Sequence, residues 1–205
     1  MNVASGTGAS HATACYELPD DQVAAGSTLG GPLACATIKA TGALERFYSI
    51  EAGEELFGAL LLHHWDARTG MGLQPRPGTF TLHPEHQEHH FVLANGVAVH
   101  EDIFVLSGRP AEDGSVDPPA LYYCVELHNG SSEALTIATF GFCQLRGNTG
   151  HDVVTTFNKR LNAFVAWNKS KQKYARVLGC STPIVGYETT SDHAKAISEQ
   201  RPSPL

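Results

Sequence analysis

The chain has 205 residues, 42% of them hydrophobic and 17% charged, with a formal net charge of -7. That length buries roughly 70% of the unfolded surface in one large domain or two small ones, and the acidic balance argues against a nucleic-acid or anionic-membrane surface. No apolar run approaches a membrane-crossing helix, and the N-terminus lacks the basic and apolar regions of a secretory signal.

Residues 1–27 are rich in Ala, Gly, Ser and Thr and read as a poorly ordered leader or one incomplete strand. The domain is expected over 28–197, with a polar tail over 198–205. Leu33 to Lys39 and Leu44 to Ile50 flank Ala40-Thr41-Gly42-Ala43, a hairpin turn. Leu56 to Trp65 is one nearly continuous apolar run, and its Gly punctuation favours a strand over a helix. Asn95-Gly96 between alternating apolar residues predicts a two-residue type I′ turn. That turn pairs Phe91 with His100, His90 with Glu101 and His89 with Asp102.

A long exposed loop follows at Ser107 to Pro119. Ala120 to Leu145 then holds two runs rich in β-branched and aromatic residues around His128-Asn129-Gly130-Ser131-Ser132-Glu133, the signature of a hairpin inside a large sheet. Val153 to Asn158, Ala163 to Trp167 and Tyr174 to Cys180 are further strands. No helix of period 3.6 precedes Asp192. The pattern predicts an all-β, two-sheet antiparallel sandwich of about ten to twelve strands.

His83, His86, His89 and His90 crowd together, with Glu85, Glu88, His100 and Glu101 close by. Metal ligands on a strand want i, i+2 spacing, whereas His89 and His90 point to opposite faces and His86 and His90 lie roughly 13 Å apart along the strand. Exposed or carboxylate-paired histidines are therefore expected, and no metal or other cofactor. Glu51, Glu54, Glu55, Asp66, Glu101, Asp102, Glu188 and Asp192 sit in no motif that pairs carboxylates at a defined distance, and read as surface or turn residues. There is no G-x-S-x-G and no cysteine at an electropositive helix start, so no nucleophile and no catalytic residue is expected. Five scattered cysteines without a CxxC favour reduced, buried thiols and a cytoplasmic protein. Trp65 ends an apolar run and Trp167 alternates with Phe164 and Val165, so packing ranks above sugar contact for both.

Three segments carry a resemblance. Val125-Glu126-Leu127-His128-Asn129-Gly130-Ser131 leading into Leu135 to Leu145 is similar to the "V-x-L-x-N-x-S" strand pair of the β-sandwich that precedes the helical barrel in cellobiose-phosphorylase-type enzymes. Asn95 to Val105 and Gly186 to Asp192 resemble further parts of it, and Leu44-Glu45-Arg46-Phe47-Tyr48 is closer to glucoamylase-like relatives. The resemblance implies a galactose-mutarotase-like super-sandwich, the N-terminal domain of a glycoside phosphorylase or hydrolase. The (α/α) barrel would hold the general acid, so the chain is not catalytic alone and reads as a truncated or split product. Its implied partners are an oligosaccharide or the barrel domain, and a second copy in a homodimer. Tyr48 and Tyr187 fall where such sandwiches meet the barrel, which ranks domain contact above sugar contact for them. Two alternatives stand beside this reading: a pure carbohydrate-binding module using Trp65 or Trp167, and a mutarotase- or epimerase-like enzyme pairing His90 or His100 with Glu101.

Overall fold

The computed structural model describes residues 15–23, 26–106, 112, 115, 118–145, 153–170 and 175–189. Among them are fifteen strands and no helix. Strands β1 (Tyr16–Pro19), β8 (Thr79–Leu82), β9 (His86–Val92), β10 (Ala98–Leu106) and β11 (Ala120–His128) form one sheet in the order β1-β8-β9-β10-β11. A second sheet runs β12 (Ile137–Cys143), β6 (Leu60–Asp66), β4 (Leu44–Ser49), β3 (Ala34–Ile38), β2 (Ser27–Gly30). On it β5 (Glu54–Phe57) pairs with β4, and β7 (Met71–Leu73) with β6. The third sheet is β13 (Val153–Asn158), β14 (Ala163–Asn168), β15 (Ala175–Gly179). Every pairing is antiparallel. The all-β sandwich-like expectation holds. The extra strands are short ones such as β1, β5 and β7, of four, four and three residues, too brief for alternation to announce them. β1 comes from the segment read as a leader or an incomplete strand, and pairs with β8.

The two larger sheets share their core. Alternation on β3 buries Ala34, Ala36 and Ile38, and these pack with Leu44, Phe47 and Leu60 of their own sheet and Ile103 of β10. Toward the other end Leu93, Val97 and Val99 pack against Leu73 and Ile137. Gln87, fully buried on β9, links the sheets by polar contacts: Ser27 Oγ donates to its Oε1 at 2.6 Å, and its Nε2 donates to the Lys39 carbonyl at 2.9 Å. On the third sheet Arg176 of β15 lies 3.7 Å from Glu54 of β5.

Two expectations change. The runs around His128 to Glu133 are not a hairpin: β11 pairs with β10, and β12 pairs with β6 in the other sheet. The turn chemistry is real, since Asn129 Nδ2 donates to the Glu133 carbonyl at 2.7 Å and Asn129 Oδ1 accepts from Ser131 N at 3.0 Å. Such chemistry reports a change of direction, not the strand the chain joins next. Nor do these strands sit mid-sheet; each forms an edge of its sheet's strand order.

The second change is at Asn95-Gly96. Leu93 N donates to Val97 O at 2.8 Å and Gly96 N to Leu93 O at 2.9 Å, with Gly96 at φ 86°. That is a three-residue loop, a turn closed by a left-handed glycine. The extra residue shifts the pairing by one, so His90 faces His100, His89 faces Glu101 and Glu88 faces Asp102. A one-residue shift changes which side chains share a face. It decides what the histidines meet.

Candidate functional site

Odd-numbered residues of β9 and β10 face the second sheet and even-numbered ones face away. On the inner face His89, Glu101 and Asp20 are 3%, 3% and 9% exposed. His89 Nε2 lies 2.9 Å from Asp20 Oδ2, and Nδ1 lies 3.0 Å from Glu101 Oε2. An ionised carboxylate only accepts, so hydrogen bonds on both ring nitrogens require the doubly protonated imidazolium. Burial opposes that charge, but Glu101 and Asp20 outweigh it and raise the imidazole above its ordinary 6.5. Tyr123 Oη of β11 stands 2.7 Å from the Gly42 carbonyl and 3.1 Å from Glu101 Oε2. Burial first, then the charge of Glu101, push that phenol well above its ordinary 10.0, so it stays protonated and donates. Asp20 Oδ1 in turn accepts from Gly78 N at 2.9 Å. This closed network ties the end of β1 and the β3–β4 turn to β9, β10 and β11. Its groups are consumed by one another. Glu101 is thereby corrected from a surface carboxylate to a buried one.

The outer face is different in kind. His86, Glu88 and His90 follow one another at i, i+2, i+4, with His100 and Asp102 beside them on β10. The rings of His90 and His100 stack at 4.2 Å, and those of His83 and His86 at 4.1 Å. Glu88 sits between the two pairs. Its carboxylate lies 3.6 Å from His83 Nε2, 3.6 Å from His86 Nε2 and 3.5 Å from His90 Nε2. Burial opposes its ionisation, but contact with His90 and the charges of His83 and His100 prevail and lower its pKa. An acid–base pairing of His90 or His100 with Glu101 is excluded by this geometry, because Glu101 projects through the opposite face. The carboxylate these imidazoles meet is Glu88. Spacing along one strand does not bring these imidazoles together; the carboxylate midway between them and the neighbour across the hairpin do.

The four aromatic candidates are scattered. Tyr48 lies on β4 and is 36% exposed. Trp65 on β6 is half-buried with its ring against Gly72, and Trp167 on β14 is half-buried. No ring contact among the described residues joins any two of the four. Tyr187 lines a groove. It is 53% exposed and packs on Phe157 at 4.4 Å and edge-on to Phe164 at 5.3 Å. Lys159, Asn162, Ile184 and Val185 complete an open groove of about 430 Å³. Asn162 shapes it: Nδ2 donates to the carbonyls of Cys180 and Thr182 at 2.9 and 2.7 Å, while Oδ1 accepts from Ile184 N at 2.9 Å.

The cysteines divide. All five are free; Cys15, Cys124 and Cys180 are exposed, against the expectation of burial, while Cys35 and Cys143 are half-buried. Burial pushes the Cys143 thiol up to about 12. Among the described residues no helix is long and apolar enough to cross a membrane. No protein-family model, curated protein or solved structure matches the chain.

Proposed function

We propose that this chain is a non-catalytic, carbohydrate-recognising β-sandwich domain of a glycoside phosphorylase or hydrolase, and that the groove at Tyr187 is where it takes the sugar. The observation that carries the reading is Tyr187 itself. It stands in the Gly186–Asp192 segment that resembles such domains, it is the most open of the four aromatic candidates, and it is packed against the rings of Phe157 and Phe164. A phenol ring held this way offers an apolar face to a pyranose and a hydroxyl at its rim, and Lys159 adds a donor beside it. Among the described residues the groove lining holds no carboxylate, the group that ordinarily serves as acid and base in glycosyl transfer.

The expected result is saturable binding of short glucosides by titration calorimetry, weakened at least about tenfold by Tyr187→Ala, which removes an interaction on the order of 1.4 kcal/mol. Tyr48→Ala, on another sheet, should leave the affinity unchanged. Equal affinity of wild type and Tyr187→Ala would remove the groove from the reading. No binding of any glucoside would remove sugar recognition altogether.

A further inference from the structure

The outer face of the β9–β10 hairpin carries more than its pairing explains. Glu88 and Asp102 are directly opposed across the two strands, a placement that destabilises a sheet when both are acidic and nothing lies between them. Four imidazoles surround the pair. Yet the expected hydrogen bonds are absent: among the described residues His83 Nε2, His100 Nε2 and Asp102 Oδ1 are buried atoms without a hydrogen-bond partner. Buried polar atoms left unpaired cost stability, so a native arrangement of this kind calls for an explanation.

The distances supply one. Glu88 lies 3.5–3.6 Å from His83, His86 and His90, beyond ordinary hydrogen-bond length. Ligand atoms set ~2.0–2.1 Å from a tetrahedral zinc ion stand roughly 3.4 Å from one another. The ligand atoms of His83, His86 and Glu88 lie within 4.8 Å of one another, and so do those of Glu88, His90 and His100. To close on an ion each set must contract and its stacked rings must turn out of parallel, because an imidazole nitrogen binds a metal in the plane of its ring.

We propose that this face binds divalent transition-metal ions of the zinc class at two adjoining positions that share Glu88. His83 and His86 complete one position, and His90 and His100 complete the other. Imidazole-rich sets with a single carboxylate suit zinc, nickel, cobalt or copper, whereas calcium and magnesium require mostly oxygen ligands. Three protein ligands per ion leave room for water or for a further oxygen donor, and two acidic residues share this face beside the second position: Asp102, opposite Glu88, and Glu126, opposite His100. His90, with its side chain 47% exposed, leaves the face open to an ion from solvent. The site is independent of the Tyr187 groove, which draws on other strands.

Equilibrium dialysis of the full chain against zinc chloride, after chelator treatment, tests it. Two ions per chain are expected, with cobalt substitution giving the intense visible absorption of a four-coordinate ion. Glu88→Gln should abolish both at zinc concentrations that saturate the wild type, His83→Ala should leave one, and His100→Ala should leave the other. His63→Ala, on β6 in the second sheet, should change nothing. Free zinc at one hundred times the Kd of each position should lower the apparent unfolding constant about ten-thousandfold in wild type, a factor of about a hundred per ion, and not in Glu88→Gln, while the two unfold alike in chelator. Zinc uptake that survives Glu88→Gln and His100→Ala would assign the ions to other histidines of the chain and overturn the proposal. So would no uptake by wild type.

Discussion

Replacing His89 by alanine should lower the unfolding free energy by about 3–5 kcal/mol, the scale for a buried ion pair robbed of one partner. Asp20 and Glu101, at 9% and 3% exposure, would be left facing a void with only the Gly78 N–H and the Tyr123 hydroxyl still donating to them and no cation between them. The lost attraction is the smaller part; the stranded carboxylates are the larger. The pH dependence gives the signature. Because the folded pKa of His89 is raised above 6.5, its contribution is fully present below that value and is lost as pH rises through the folded pKa. His64 acts in the opposite sense. Burial lowers its pKa, partly offset by Glu101, so its contribution is present above 6.5 and lost as pH falls through its folded pKa. The difference between wild-type and His89→Ala profiles isolates the first effect: the gap should narrow on the alkaline side. Urea denaturation in chelator, across pH 5 to about 9 where ordinary histidines titrate, measures it. A loss under about 1 kcal/mol, or a gap independent of pH, would mean that the imidazole is not doubly bonded in its charged form.

Gly42→Ala should cost about 3 kcal/mol, although it adds a single methyl group. Roughly 1–2 kcal/mol comes from forcing an L-residue into the left-handed region, since Gly42 has φ 77°. The rest comes from where the methyl lands: a β-carbon there runs into Glu101 Oε2, with His89 Nδ1 and Tyr123 Oη each 3.0 Å away. The carboxylate must move, and it is the centre of the buried network. Gly96 provides the control. It has φ 86° but nothing within 4 Å of an added β-carbon, so Gly96→Ala should show the backbone cost alone. Equal losses for the two variants in denaturant titrations would show that the network yields freely to the methyl.

Much of the fold is legible in the residues because alternation works wherever a strand is long and one face is buried. The strands at Leu33 to Lys39, Leu44 to Ile50, Val153 to Asn158 and Ala163 to Trp167 fall where apolar periodicity places them, within a residue at each end. What alternation cannot carry is partnership. β11 and β12 are adjacent in sequence and separate in the fold, since antiparallel pairing depends on long-range packing that no local pattern encodes. Nor does Asn-Gly alone distinguish a two-residue loop from a three-residue one, and that single position inverted the reading of the histidines. Under one pairing His90 meets Glu101 and looks like a surface ion pair. Under the observed one His89 meets Glu101 in the core, and His90 joins His100 beside Glu88. The continuous run Leu56 to Trp65 was likewise cut at Gly58, whose N–H donates to the Gln144 carbonyl of a distant segment. The four candidate aromatics were visible as residue types, but nothing local marks Tyr187 as the one that lines the groove described above.

The passage of the chain between the sheets after β11 has a kinetic consequence. The β8–β9–β10 meander closes over short loops and needs little chain entropy to form. β12 instead completes the second sheet against β6, where Thr139 meets His64 across a separation of 75 positions. Contacts of that span are slow to form because the closure cost precedes the reward. Refolding should therefore show amide protection arising first in β9 and β10 and last in β12. Pulsed hydrogen exchange would read this order directly, and simultaneous protection of both would mean that the two sheets condense in one step. Until β12 docks, the open edge of β6 is the surface on which a second unfinished chain would pair, which makes the last strand to arrive the guard against aggregation.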